Sequence, residues 1–175
     1  MNCLIRTDAN SQIGSGHLMR CLALAQAWQR DCDRAIFATQ SLSPLLASRL
    51  ASENMAVMPI SSPAGTAEDA RETATLAHHV EAQWLVVDGY HFGTDYQQTI
   101  KAAGLFLLVL DDYGHCDRYY ADAILNQNIS ADERWYLQRE NDTRLLLGTR
   151  YILLRREFWQ WQNWQRKIPK IARKI

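Results

Sequence analysis

Two runs in this chain, WLVV at 84–87 and LFLLVL at 105–110, are apolar at every position, and each ends in an aspartate, Asp88 and Asp111. A strand with one wet face alternates apolar and polar side chains. A run without alternation is a strand covered on both faces, the condition of a parallel sheet held between two helical layers. Further strands are expected at Asn2 to Arg6, Arg34 to Thr39, Ala56 to Ile60, Ala123 to Leu125 and Arg144 to Leu147. Helices fall between most of them, at His17 to Arg30, Leu45 to Glu53, Thr66 to Glu81 and Thr94 to Ala103. In the first of these, Leu18, Cys21, Leu22, Ala25 and Trp28 recur at the spacing of one buried helical stripe. Acidic Glu68, Asp69 and Glu72 suit the first turn of the third. The pattern is that of an α/β fold with a doubly wound, mostly parallel sheet.

A length of 175 residues with 47% apolar and 22% charged residues fits one main domain able to bury a core, not a disordered or low-complexity chain. Nineteen Lys and Arg against nineteen Asp and Glu remove any case for nucleic-acid binding from overall charge. The balance is uneven, because from Arg155 onward seven basic residues face Glu157 alone. No run approaches the roughly 18 apolar residues of a membrane span, and MNCLIR is not a basic and then apolar leader, so a cytoplasmic location is expected. Cys3, Cys21, Cys32 and Cys116 lack paired spacing and are expected to be reduced packing residues, without disulfide or zinc.

Ligands of doubly wound sheets bind beyond the carboxyl ends of the strands. Here those positions are polar: Thr7 to His17, Asp88-Gly89-Tyr90-His91, Asp111-Asp112-Tyr113 and Asn126-Gln127-Asn128. Gly14-Ser15-Gly16-His17 closes a strand-to-helix loop in which the free N–H groups of the helix start can hold an anion. It is not a dinucleotide fingerprint, since Met19 stands where the third glycine belongs and Thr39-Gln40 where an acidic residue should follow the second strand. Nor is it a P-loop, for no Lys-Ser or Lys-Thr follows. No cofactor is expected. The positive end of the helix opposes protonation of His17, leaving a neutral imidazole able to act as a general base. The local pattern is equally that of a polar residue starting a helix.

Asp8, Asp88, Asp111 and Asp112 raise the possibility of carboxylates converging on Mg2+, but the acidic pair follows a later strand than a phosphoacceptor receiver requires. Loop capping is the competing role. His91, His115 and Cys116 match no metal-ligand spacing and are expected at the surface, so no metal is assigned.

Five segments in register carry a resemblance: RTD with IGSGHLMRCL and LA across Arg6 to Ala25, VDGY at 87–90, LDD at 110–112, LNQN at 125–128, and G..Y.LLR.EF across Gly148 to Phe158. They resemble the UDP-sugar hydrolase family of pseudaminic acid biosynthesis and related spore-coat polysaccharide proteins. The resemblance implies a glycosyltransferase-B-like architecture of two Rossmann-type domains, of which residues 1–158 look like the N-terminal one. It implies metal-independent removal of UDP from a UDP-linked acetamido trideoxy sugar with inversion at the anomeric carbon. His17 matches the family's histidine that activates water. Asp8, Gly14, Gly16, Arg20, Tyr90 and Asn128 match positions expected to shape the substrate side. The partners implied are the UDP-sugar and a C-terminal domain absent from these 175 residues. Residues 159–175, with Trp159, Trp161 and Trp164 before a basic stretch, would lead toward that domain as a helix or linker. As an amphipathic helix instead, they would pack Phe158 and Trp161 on the first domain. Self-association through an exposed apolar tail is also expected. The alternatives are a sugar transferase of the same architecture, and a non-catalytic module that binds sugar nucleotides or uses its aromatic, basic tail for interaction.

Overall fold

The computed structural model describes residues 1–10, 13–29 and 33–165. Among them one sheet is formed by β1 (Asn2–Thr7), β2 (Arg34–Thr39), β3 (Ala56–Pro59), β4 (Ala82–Asp88), β5 (Phe106–Leu110), β6 (Ala123–Asn126) and β7 (Arg144–Leu147). Its order is β3-β2-β1-β4-β5-β6-β7. The sheet expected to be mostly parallel is parallel at every pairing of these strands. Helices α1 (Gly16–Trp28), α2 (Pro44–Ser52), α3 (Ala67–His79) and α4 (Thr94–Ala102) connect the first five strands. The predicted first helix ran to Arg30, which lies outside the described residues.

The unalternating runs sort their side chains as a doubly covered sheet must. Leu85 and Val87 of β4, with Leu107 and Val109 of β5, pack against Ala70, Ala74 and Ala77 of α3 and Tyr96 and Ile100 of α4. Val86, Leu108 and Leu110 point the other way, to the core built by Leu18, Cys21, Leu22 and Ala25 of α1 and Leu50 of α2. Successive strand residues face opposite sides, so a run with both sides buried must be apolar throughout. No described helix is long and apolar enough to cross a membrane.

From β1 the chain winds outward through β2 and β3, then returns to place β4 on the other side of β1. The order reverses there, and a crevice opens between the carboxyl ends of β1 and β4. The Thr7 hydroxyl donates to the Asp88 carbonyl at 3.0 Å and ties the two strand ends together.

The described part of the tail, expected as a helix or a linker, begins in a short 3-10 helix. Residues Arg156–Trp161 form a 3-10 turn, and Phe158 and Trp161 are 45% and 56% exposed. The segment is held by backbone and side-chain contacts, the Arg156 N–H donating to Gln26 Oε1 at 2.7 Å, the Leu153 N–H to Gln127 Oε1 at 2.9 Å, and Arg49 Nη2 to Glu157 Oε1 at 2.6 Å. Residues 166–175, with most of the tail's basic charge, lie outside the described residues.

Candidate functional site

The loop after β1 sets up the start of α1. Asn10 accepts the Gly14 N–H on its carbonyl at 2.8 Å and the Ile13 N–H on Oδ1 at 2.9 Å. Gly14 has φ 80°, a backbone conformation that glycine adopts at low cost. Ser15 caps α1 without a side-chain hydrogen bond, and the first turn carries no acidic residue. In contrast, Ser43 and Thr66 accept N–H groups at the starts of α2 and α3. The first turn of α1 therefore begins without a side chain covering its amides, which suits an anion placed there.

A cavity of about 310 Å³ lies at this helix start, lined by Ile13, Gly16, His17, Arg20, Tyr90, Asp112 and Gln127. His17 and Arg20, one helical turn apart, reach the end of β4 together. His17 Nδ1 lies 2.6 Å from Asp88 Oδ1. Arg20 grips the same carboxylate with Nε on Oδ2 and Nη2 on Oδ1, both at 2.6 Å, and donates from Nη1 to Asp112 Oδ1 at 2.7 Å. Asp112 also accepts the Tyr90 hydroxyl at 2.8 Å and Asn128 Nδ2 at 2.9 Å. The Tyr90 ring meets the His17 imidazole edge-on, with centroids 5.1 Å apart.

The charges of this cluster are fixed by their partners. Burial pushes the Asp88 carboxyl up, but the Arg20 and His17 hydrogen bonds and charges outweigh it and hold the group below the usual carboxylate range. Asp112 is lowered by the same balance, burial against Arg20, Asn128 and Tyr90. Burial and the Asp112 carboxylate push the Tyr90 phenol up to about 12, so it stays a donor at neutral pH.

Of the residues singled out from sequence, Gly16, His17, Arg20 and Tyr90 are brought together around this cavity. Asn128 stands behind its wall, through Asp112, and Gly14 shapes the preceding loop. Asp8 is elsewhere. Its buried carboxylate turns toward β2, pairing with Arg6 Nη1 at 2.8 Å and accepting the Gln40 and Ser41 N–H groups at 2.7 and 3.1 Å. Arg20 has Nε, Nη1 and Nη2 all committed to carboxylates, which makes it a brace of the site wall. Asp88 and Asp112 were visible as residues ending strands, but not as partners of His17 and Arg20. Nothing short of the strand order places β4 beside β1.

The four aspartates do not converge. Asp111 lies in a separate buried knot, accepting the Tyr113 and Gly114 N–H groups at 2.7 Å each and the Tyr119 hydroxyl. His115, expected at the surface, belongs to this knot: its side chain is 5% exposed and its Nδ1 lies 2.7 Å from Asp111 Oδ2. Burial lowers its pKa, but the contacts with Asp111 and Cys116 outweigh this and raise it to about 10. Among the described residues no group of three or more His, Cys, Asp or Glu is arranged to hold a metal ion.

No family model matches the chain. It is 30% identical over 164 residues to the UDP-2,4-diacetamido-2,4,6-trideoxy-beta-L-altropyranose hydrolase of Campylobacter jejuni, covering 91% of this chain and 54% of the hydrolase. It is 23% identical over 163 residues to the uncharacterized protein MJ1062 of Methanocaldococcus jannaschii, covering 91% of this chain and 32% of that protein. The chain thus spans about half the length of the hydrolase and a third of the archaeal protein. The crystal structure of Acinetobacter baumannii MurG superposes with a TM-score of 0.53 at 10% identity, over 83% of this chain and 45% of MurG. That likeness bears out the expected Rossmann-like α/β fold, of the kind found in a glycosyltransferase-B protein. The chain is thus a distant relative of a UDP-sugar hydrolase, similar to it over about half of that protein's length.

Proposed function

We propose that this chain is the N-terminal half of a UDP-sugar hydrolase and that His17 is its general base. The observation that carries the reading is the His17 imidazole lining a cavity at the point where strand order reverses, beside the uncovered first turn of α1. The similarity to the Campylobacter hydrolase supplies the substrate class, a UDP-linked acetamido trideoxy sugar. In the proposed reaction His17 Nε2 takes a proton from water as the water oxygen bonds to the anomeric carbon. The bond from that carbon to the UDP oxygen breaks on the opposite face, and the configuration inverts. The negative charge that builds on the leaving diphosphate needs fixed donors. With Arg20 committed to Asp88 and Asp112, the first-turn amides of α1 are donors this half can offer. A metal has no part in the proposed step.

A C-terminal domain would supply the remaining uridine and diphosphate contacts. An apolar groove of about 800 Å³, lined by Ala23, Ala27, Ile152, Leu154, Phe158 and Trp161 among others, gives the tail region an apolar surface for that domain or for self-association. The test is UDP release from the UDP-linked diacetamido sugar by the chain supplied with the C-terminal half of the Campylobacter relative. Release of UDP and free sugar supports the hydrolase. Transfer of the sugar only to an added acceptor would favour a transferase instead. Binding without turnover would favour a sugar-nucleotide-binding module.

A further inference from the structure

A neutral imidazole carries its proton on either nitrogen, and only the other nitrogen takes a proton from water. In His17 the contact with Asp88 decides which. Nδ1 and Asp88 Oδ1 are 2.6 Å apart, a separation that requires a proton between them. The carboxyl is not its owner: burial favours its protonation, but the Arg20 fork donates to both of its oxygens, and the group is held below the usual carboxylate range. The proton belongs to Nδ1. Arg20 Nη2, 3.2 Å from Nδ1, is then a packing neighbour, because a protonated Nδ1 has no lone pair to offer it.

Asp88 is itself immobilised. Its side chain is fully buried, the Arg20 fork closes on both oxygens, and the Cys21 thiol adds a contact to Oδ2 at 3.4 Å. A bidentate guanidinium–carboxylate pair fixes orientation as well as charge. Arg20 in turn is anchored on Asp112 across the cavity wall.

From this geometry we infer that Asp88, clamped by Arg20, is the positioning residue of His17, holding its proton on Nδ1 and leaving Nε2 as the acceptor in the cavity. The inference rests on reading His17 as the base, but its physical core is testable without turnover. In the 15N-labelled chain, long-range 1H–15N correlations of the His17 ring, followed over a pH series, report which nitrogen is protonated in the neutral form. The expected result is a proton on Nδ1. In Asp88→Asn the negative charge that holds the proton on Nδ1 is gone, and the ring is expected to shift toward the Nε2–H form. A wild-type ring with its proton on Nε2 overturns the inference, as does an unchanged tautomer in a folded Asp88→Asn. Should that variant not fold by circular dichroism, the wild-type tautomer decides alone. In the UDP-release assay Asp88→Asn is expected to lower kcat about 10²–10⁴-fold with KM nearly unchanged. Full activity in Asp88→Asn with none in His17→Asn would sink the positioning role and keep the base. Full activity in His17→Asn would sink the base itself, whatever the tautomer.

Discussion

Two arginines stand at the carboxyl end of the sheet, each between two aspartates, and only one of them borders a cavity with an imidazole. Arg6 of β1 is fully buried between Asp69 and Asp8, with Nε and Nη2 both 3.0 Å from Asp69 and Nη1 2.8 Å from Asp8. Arg20 of α1 makes the same kind of bracket between Asp88 and Asp112, with its side chain 12% exposed. Around Arg6 the remaining acceptor sites are closed by the fold itself: the Gly65 N–H and the Thr73 hydroxyl donate to Asp69, and the Phe92 ring lies 5.1 Å from the guanidinium. Around Arg20 one corner of Asp88 is given to a histidine that lines an open space. The pairing chemistry is shared, and so is a neighbouring imidazole, since His91 Nε2 lies 3.7 Å from Asp8 Oδ2; a histidine held at 2.6 Å on the wall of an open cavity is what separates the candidate catalytic bracket from the structural one.

The sharpest way to break that comparison is to open the closed bracket. Asp69→Ala leaves a buried guanidinium with half its partners, so a loss of about 3–5 kcal/mol in urea unfolding is expected. The His17 tautomer should not change. A loss near zero would contradict the structural role of the Arg6 bracket, and a shifted tautomer would mean that the two brackets are not independent.

The effect of pH comes next. His115 has a pKa raised to about 10 in the folded chain, so its contribution to stability is fully present below the unfolded value near 6.5 and is lost as pH rises from there toward 10. Unfolding at pH 6 and at pH 9.5 should differ by about 2–4 kcal/mol, and His115→Gln should flatten that slope. An unaltered slope in the variant would remove His115 as the cause. On the acid side the sign reverses. Asp8, Asp88, Asp111 and Asp112 are all lowered on folding, so their contribution is present above about pH 4 and is lost as pH falls through their folded values.

The smallest expected effect is at Tyr90. Its hydroxyl bonds Asp112 at the edge of the open bracket, where water replaces a lost partner. Tyr90→Phe should cost about 0.5–1.5 kcal/mol in stability and leave the His17 proton in place. A larger loss would assign Tyr90 a share of the bracket comparable to Asp112.

The elements were legible because burial on both faces leaves its mark residue by residue: strands such as Trp84 to Asp88 contain no polar position until the sheet ends. His17 and Arg20 share a helix face, so their proximity follows from a spacing of three. Asp88 and Asp112 had no such local signature as their partners, because that relation depends on β4 lying beside β1. Asp8 follows β1 and is near the glycine loop in sequence, yet the backbone turns its carboxylate to the β2 side, where the Gln40 and Ser41 amides donate to it. His115 was misplaced for a related reason. A polar DDYGH loop reads as exposed, but Asp111 folds it inward by accepting from its own following residues.

The most direct test of the central claim is UDP release by the chain supplied with a C-terminal half, measured side by side for wild type and His17→Asn. The expected result is turnover in the wild type and a loss of about 10²–10⁴-fold or more in the variant, with the unfolding midpoint retained. Equal rates would contradict the account.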